Sequence, residues 1–132
     1  MFAEMVQECI TFLKTRDLEK THTFYTQVMG MPEVLDQRTC KIFRAGQTAY
    51  VGFCLTSQET GSNEVTLTFV VEDVYNACRG FEEVGIQIEV QPRYNPQYNI
   101  DQFFIRDPNG YLIEVQRFHD PAWKGEGRLL SG

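Results

Sequence analysis

The stretch FFIRDPNGYLIEVQRF, residues 103–118, decides the fold, because two strand-like runs flank the turn sequence DPNG at 107–110. Proline at the second and glycine at the fourth position of that turn fit a tight β-turn. Side chains alternate between the two faces of a strand, so Leu112, Glu114 and Gln116 share one face. A carboxylate placed among large apolar residues belongs either to a solvated sheet face or to a functional site.

The rest of the chain repeats one arrangement of elements. A strand precedes a helix that Asp17 caps and Gly30 ends, and later a strand precedes a helix that Asp73 caps and Gly85 ends. Apolar residues at helical spacing give each helix one buried face. The predicted strands are 9–15, 32–37, 39–45, 49–55, 65–71, 86–90 and the two runs around DPNG, with a hairpin turn at Gly46-Gln47, a loop at 57–64 and a second loop at 92–100.

Each half therefore consists of a strand, a helix and three strands, the order βαβββ. One such half leaves an apolar sheet face uncovered, which a second half or a second chain can bury. We predict an α+β fold of two βαβββ modules in a single domain, residues 1–132. Module one covers about residues 8–56, module two about residues 64–118, and a tail occupies residues 119–132.

The composition narrows the class of protein. The chain has 132 residues, 42% of them hydrophobic, which suits one globular domain with its own core. Its formal net charge of -6 argues against binding to nucleic acid or to an anionic membrane. We see no membrane-spanning stretch, no secretory leader and no C-x-x-C pair among the four cysteines, so we expect a cytoplasmic protein with reduced thiols.

Two segments resemble the vicinal oxygen chelate superfamily, which includes glyoxalases, bleomycin-resistance proteins and extradiol dioxygenases. They are RDLEKTHTFYTQVMGM at 16–31 and RDPNGYLIEVQ at 106–116. The resemblance implies the glyoxalase/bleomycin-resistance fold, in which the curved mixed sheets of two βαβββ modules surround a central cavity. It also implies a homodimer. In metal-dependent members, His, Glu, His and Glu stand on the first strand of each half and on the last strand of each hairpin.

The resemblance places Glu114 at the fourth metal-ligand position, and Ile10, Gly52 and Thr66 at the other three. Isoleucine and glycine side chains offer no ligand atom, and a threonine hydroxyl is a weak ligand. The two histidines of the chain lie outside the predicted cavity strands. We therefore predict that the chain lacks the usual metal-ligand set and needs no cofactor.

A pocket without that metal still has candidate lining residues. The predicted ligand-binding set is Phe12, Tyr50, Cys54, Thr68, Tyr98, Phe103, Leu112, Glu114 and Gln116. Aromatic members either stack against a flat or cationic ligand or fill the core; core filling is favoured for Phe12 and Phe103, and ligand contact for Tyr50 and Tyr98. Packing is favoured for the Cys54 thiol, since a reactive cysteine needs a base or a positive neighbour.

Two interpretations of Glu114 stay open at this point. It either accepts hydrogen bonds from a ligand or pairs with a neighbouring cation such as Arg44 or Arg106. Arg93, in the second loop, either binds an anionic group at the cavity rim or is an exposed loop residue.

Three functions follow from these features. The first is a small-molecule binding protein that sequesters a drug or metabolite of aromatic, amphipathic or cationic character. The second is a glyoxalase-type lyase or isomerase, or a dioxygenase, with an atypical metal site that uses Glu114. The third is a dimerisation or regulatory module with no small ligand. Metal content separates the first from the second, and a closed barrel with no cavity would favour the third.

Overall fold

The computed structural model describes residues 1–123 and has the α+β architecture that the sequence predicts, with two four-stranded sheets. The elements are α1 (Phe2–Met5), β1 (Ile10–Thr15), α2 (Leu18–Thr23) continued by a π-helical turn (Phe24–Val28), β2 (Glu33–Asp36), β3 (Cys40–Ala45), β4 (Ala49–Leu55), β5 (Thr66–Val70), α3 (Val74–Glu83), β6 (Val90–Asn95), β7 (Ile100–Arg106) and β8 (Leu112–Phe118). No helix within residues 1–123 has the length and hydrophobicity that a bilayer crossing requires.

The chain forms two compact units with the same sheet order. Unit one comprises residues 1–63 and 107–111, and unit two comprises residues 64–106 together with those from 112 onward. The sheet of unit one has the strand order β1-β4-β3-β2, and that of unit two has the order β5-β8-β7-β6. In each sheet the last three strands along the chain pair antiparallel with one another in sequence order, and the first strand pairs in parallel with the last, so the predicted repeat is confirmed.

The two predicted helix caps are present in the structure. The Asp17 carboxylate accepts the Lys20 backbone N–H at 3.0 Å, and the Asp73 carboxylate accepts the Asn76 backbone N–H at 3.0 Å. Each bond satisfies one of the backbone donors that the first turn of a helix leaves without an internal partner. Gly85 ends the second helix with a φ of +83°, a conformation that side chains other than glycine rarely adopt.

The prediction was wrong in the segment after α3. Residues 86–89 form no strand, and β6 begins at Val90 and runs through Pro92 and Tyr94, where a loop was predicted. Proline lacks a backbone donor, but β6 is the edge strand of its sheet, where that loss is tolerated. The pairing register shifts between Val90 and Arg93, so the proline coincides with an irregularity in the ladder. The predicted tail at 119–132 extends beyond the described residues.

Aromatic side chains make up much of each core. In unit one the Tyr25 ring is fully buried and lies 4.7 Å from the Phe53 ring and 5.7 Å from the Phe43 ring, measured between centroids. In unit two the fully buried Phe103 meets Phe81 of α3 edge to face, with 6.0 Å between centroids. In each sheet, the face that packs against the helix is therefore the buried face.

The DPNG turn of the opening stretch belongs to unit one and supplies its buried polar network. The Asp107 carboxylate accepts the Tyr25 hydroxyl at 2.9 Å and the backbone N–H groups of Asn109 and Tyr111, each at 2.9 Å. The Asn109 side chain continues the network to the Thr15 hydroxyl at 2.6 Å. Burial raises the pKa of Asp107, although these hydrogen bonds act in the opposite direction.

Candidate functional site

Glu114 stands on the open face of the sheet of unit two. Its neighbours along β8, Ile113 and Val115, are buried, and strand alternation turns Glu114 to the other face. β8 is an inner strand, so Glu114 has a direct partner on each side, Thr68 of β5 and Phe104 of β7. The fold thus fixes the carboxylate in the middle of a sheet face.

Neutral donors hold this carboxylate in place. The Thr68 hydroxyl donates to Glu114 Oε1 at 2.9 Å, and Gln102 Nε2 donates to the other carboxylate oxygen. Gln102 is itself oriented by Asn95, whose side-chain N–H donates to Gln102 Oε1 at 2.8 Å. The result is a chain of hydrogen bonds across β6, β7, β8 and β5 that ends on a carboxylate.

The two arginines considered as partners of Glu114 have other contacts. Arg106 forms an ion pair with Glu89, with 2.7 Å between Nε and Oε2. Arg44, in unit one, donates to the Gln47 carbonyl at 3.2 Å. The bonds to Thr68 and Gln102 that fix Glu114 therefore come from uncharged groups.

A pocket of about 530 Å³ covers this face, a volume within the range of small-molecule sites. Its lining consists of Thr66, Thr68, Arg93, Asn95, Tyr98, Ile100, Gln102, Phe104, Glu114, Gln116 and Phe118. Charged, amide, hydroxyl and aromatic groups thus converge on one concave surface, and all of them belong to unit two.

Four of the predicted residues lie together in this pocket: Thr68, Tyr98, Glu114 and Gln116. Leu112, the first residue of β8, shares their face by strand alternation and pairs with Thr66.

Phe103 lies on the opposite face of its strand, fully buried against α3, so the structure separates it from the pocket. Gln102 and Phe104, the residues on either side of it, both line the pocket and are absent from the predicted set. Counting the hairpin register outward from the DPNG turn would have found Phe104, since it pairs directly with Glu114. Arg93 was assigned to a loop, but it lies on β6 and lines the pocket.

The remaining three predicted residues belong to unit one. The Phe12 ring lies against Gly52, so close that a Cβ built on Gly52 would be 2.5 Å from two ring carbons. Tyr50 pairs with Ile10 and with Arg44. These residues form the open face of the first sheet, the counterpart of the face that carries Glu114.

The third of these residues, Cys54, lies opposite Cys40 on the open face of the first sheet. The two sulfurs are 2.6 Å apart, and both cysteines are present as thiols.

The donor set does not fit a divalent metal ion. In unit one, the positions that carry metal ligands in the metal-dependent members hold Ile10 and Gly52, and the strand partner of Gly52 is Phe12. In unit two they hold Thr66 and Glu114, and the partner of Glu114 is Thr68. Across residues 1–123, no three side chains of His, Cys, Asp or Glu come together as a metal site would require.

Comparison with known proteins agrees with the fold and the repeat. The family model of the Glyoxalase/Bleomycin resistance protein/Dioxygenase superfamily matches residues 9–115. A crystal structure of a glyoxalase/bleomycin resistance protein/dioxygenase from Nocardioides superposes with a TM-score of 0.73 at 18% identity, covering 95% of each chain. The chain belongs to the Glyoxalase/Bleomycin resistance protein/Dioxygenase superfamily.

Two relatives with assigned names come from the genus Vibrio. A protein of Vibrio parahaemolyticus named "Probable lactoylglutathione lyase" is 30% identical over 122 residues, which cover 80% of this chain and 86% of the relative. A protein of Vibrio cholerae with the same name is 27% identical over 120 residues, with the same two shares covered.

Proposed function

We propose that this protein binds a small organic molecule in the pocket of unit two, without a divalent metal ion. The observation that supports the proposal best is the position and orientation of the Glu114 carboxylate. Its carboxylate faces a pocket of suitable size and is fixed by Thr68 and Gln102. Because these hydrogen bonds come from neutral groups, no ion pair at these contacts competes with a ligand for the carboxylate.

The lining indicates the class of ligand. Tyr98, Phe104 and Phe118 offer aromatic surface, on which a flat or cationic group can stack. Glu114 would accept hydrogen bonds from a cationic or N–H-bearing group, and Arg93 on the same face would bind an acidic group. We expect an aromatic or amphipathic compound with a hydrogen-bond-donating group, which the protein sequesters rather than transforms.

A thermal-shift screen of aromatic and cationic compounds, followed by calorimetric titration of the hits, tests this proposal. The Glu114→Gln variant should bind a cationic hit at least tenfold more weakly, a loss of about 1.4 kcal/mol. Glu72→Gln is the matched control, because Glu72 is an exposed glutamate of unit two outside the pocket. Equal affinity in both variants would contradict the role of Glu114.

A second function, a glyoxalase-type lyase, is favoured by the names of the two Vibrio relatives. Elemental analysis separates it from the first, before and after incubation with Zn²⁺, Ni²⁺, Mn²⁺ and Fe²⁺, together with an assay for lactoylglutathione lyase activity. Metal-free, inactive protein supports the binding function. A tightly held ion in each chain that is lost in Glu114→Ala, together with activity, would establish the lyase instead.

We further propose that the protein is a cytoplasmic homodimer. Ile10, Phe12 and Leu35 are each more than a third exposed in unit one, and covering such apolar side chains stabilises an assembly. Light scattering coupled to size-exclusion chromatography should give twice the mass of one chain. A monomer at micromolar concentration would contradict the homodimer.

A further inference from the structure

Two cysteines of unit one face each other across a pair of antiparallel strands. Cys40 of β3 is the direct partner of Cys54 of β4. The Leu55 N–H donates to the Thr39 carbonyl at 2.7 Å, which makes Thr39 and Leu55 a hydrogen-bonded pair. Because such pairs alternate along an antiparallel ladder, Cys40 and Cys54 form a non-hydrogen-bonded pair, where side chains are closest and Cα atoms are about 4.5 Å apart.

This backbone position suits a disulfide bond. Bridged cysteines have Cα atoms roughly 4.4 to 6.8 Å apart, so the strands need little movement to accept the bond. The thiols already point at each other, with 2.6 Å between the sulfurs. The strand register and the directions of the two side chains thus both favour a disulfide bond, although the two residues are far apart in sequence.

Reagents in solution can reach one of these thiols more easily than the other. Cys54 is partly exposed, whereas Cys40 is 8% exposed. Burial and the contact with Cys54 raise the pKa of Cys40 to about 11. The Lys14 ammonium acts in the opposite direction and lowers this pKa. Lys14 is the strand partner of Cys54 and shares its face. The attacking residue must be reached by the reagent, so Cys54, the more exposed of the two, is the attacking residue.

From this geometry we propose that Cys40 and Cys54 are a thiol–disulfide exchange site that reacts with low-molecular-weight disulfides. The Cys54 thiolate attacks one sulfur of the reagent and displaces the other as a thiolate, which takes up a proton. Cys40 then loses its proton and attacks the Cys54 sulfur, which releases the second reagent thiol and closes the protein disulfide. The protein pair loses two electrons and two protons, and the reagent disulfide is reduced to two thiols.

Peptide mapping by mass spectrometry of the full-length wild-type protein tests the proposal. The protein is equilibrated with oxidised and reduced glutathione at several ratios, alkylated while unfolded, and digested with trypsin. Cleavage after Arg38 and Lys41 leaves Cys40 in a three-residue peptide, so a bridge to the fragment that contains Cys54 is distinctive. Because that fragment also contains Cys78, a second protease that separates the two completes the assignment. We expect a bridged fraction that rises with oxidised glutathione and disappears with excess reduced glutathione.

Variants distinguish this pair from incidental oxidation. Cys9→Ser removes an exposed thiol and should leave the bridged fraction unchanged. Cys40→Ser should trap glutathione on Cys54 as a mixed disulfide, since the resolving thiol is gone. The proposal is overturned if both thiols of the wild-type protein are fully alkylated at every ratio, or if the bridges formed involve Cys9. The wild-type experiment is decisive even if a variant fails to fold.

Discussion

The two units share one sheet order, and the same positions on their open faces carry opposite chemistry. In unit one the central position is Gly52, with Phe12 and Ile42 as strand partners. In unit two it is Glu114, with Thr68 and Phe104 as partners. The first face is apolar at this point, and the second carries a hydrogen-bonded carboxylate. Equivalent positions in the two repeats therefore carry side chains of different chemical character.

Each central residue is matched to its neighbour on the first strand. Gly52 leaves the space that the Phe12 ring occupies, and Glu114 receives the Thr68 hydroxyl. Exchanging one member alone would leave either a steric overlap or a carboxylate without its donor. The pairs are the units that distinguish the two faces, which gives specific ways to test the comparison.

The helix-facing sides of the two sheets should respond alike to mutation. Removing a buried ring from either side should cause the largest loss of stability. Phe53→Ala in unit one and Phe103→Ala in unit two each remove a fully buried ring, which costs about 3–5 kcal/mol in the free energy of unfolding. Urea denaturation followed by circular dichroism measures both. Tyr98→Ala is the control, since Tyr98 is 63% exposed. A small loss for Phe103→Ala, similar to that of the control, would show that this ring is not a core residue.

The buried carboxylate of the opening stretch, Asp107, provides the second test. Asp107→Asn places an N–H where the Tyr25 hydroxyl and the Asn109 side chain donate, so we expect a loss of about 1–3 kcal/mol in the free energy of unfolding. Urea denaturation at one pH, compared with Asp120→Asn at an exposed site, measures it. A loss no greater than that of the control would contradict the buried network.

The pH dependence of the same variant tests the pKa of Asp107. The folded pKa is raised above its ordinary value of 3.8, so the folded state binds this proton more tightly than the unfolded state. The stabilisation is complete below that ordinary value and is lost as the pH rises through the raised pKa. The advantage of the wild type over Asp107→Asn should shrink from acidic to neutral pH. An advantage that grows with pH would reverse the sign of the shift.

Much of this architecture could be predicted because its signals are local. Asp17 and Asp73 cap helices through bonds to residues three positions on, and the DPNG turn fixes its own hairpin. Glu114 could be placed on its face by strand alternation alone. β6 could not be predicted, because the tolerance of Pro92 depends on its place at the edge of the sheet, which is a tertiary fact.

The pocket was only partly predictable for the same reason. Phe103 and Phe104 are adjacent aromatic residues, and composition does not show which of them faces the helix. The register with β8 decides it, since Phe104 pairs with Glu114. The hydrogen bonds from Asn95 to Gln102 and on to Glu114 cross three strands and have no local sequence signal.

The third test adds a side-chain atom at Gly52 in unit one, where the Phe12 ring fills the space. Gly52→Ala places a Cβ 2.5 Å from the Phe12 ring, so the ring must move, and overpacking of this kind costs about 1–3 kcal/mol in the free energy of unfolding. The Phe12→Ala background is the control, because the clash is absent there and the second substitution should cost less. A double-mutant cycle measures the coupling. Equal costs in both backgrounds would show that Phe12 and Gly52 are independent.

The smallest effect is expected for the corresponding pair of unit two. Thr68→Val keeps the shape of the side chain and removes one hydrogen bond to Glu114 at an exposed position, which should cost about 0.5–1.5 kcal/mol in the free energy of unfolding. Thr66→Val, on the same face of the same strand, is the matched control. Urea denaturation of both variants should separate them, and the difference should vanish in the Glu114→Gln background if the charge of the carboxylate is what Thr68 stabilises. A difference that persists there would mean that the hydroxyl stabilises the strand independently of the carboxylate charge, and the contrast between the two faces would then rest on Gln102.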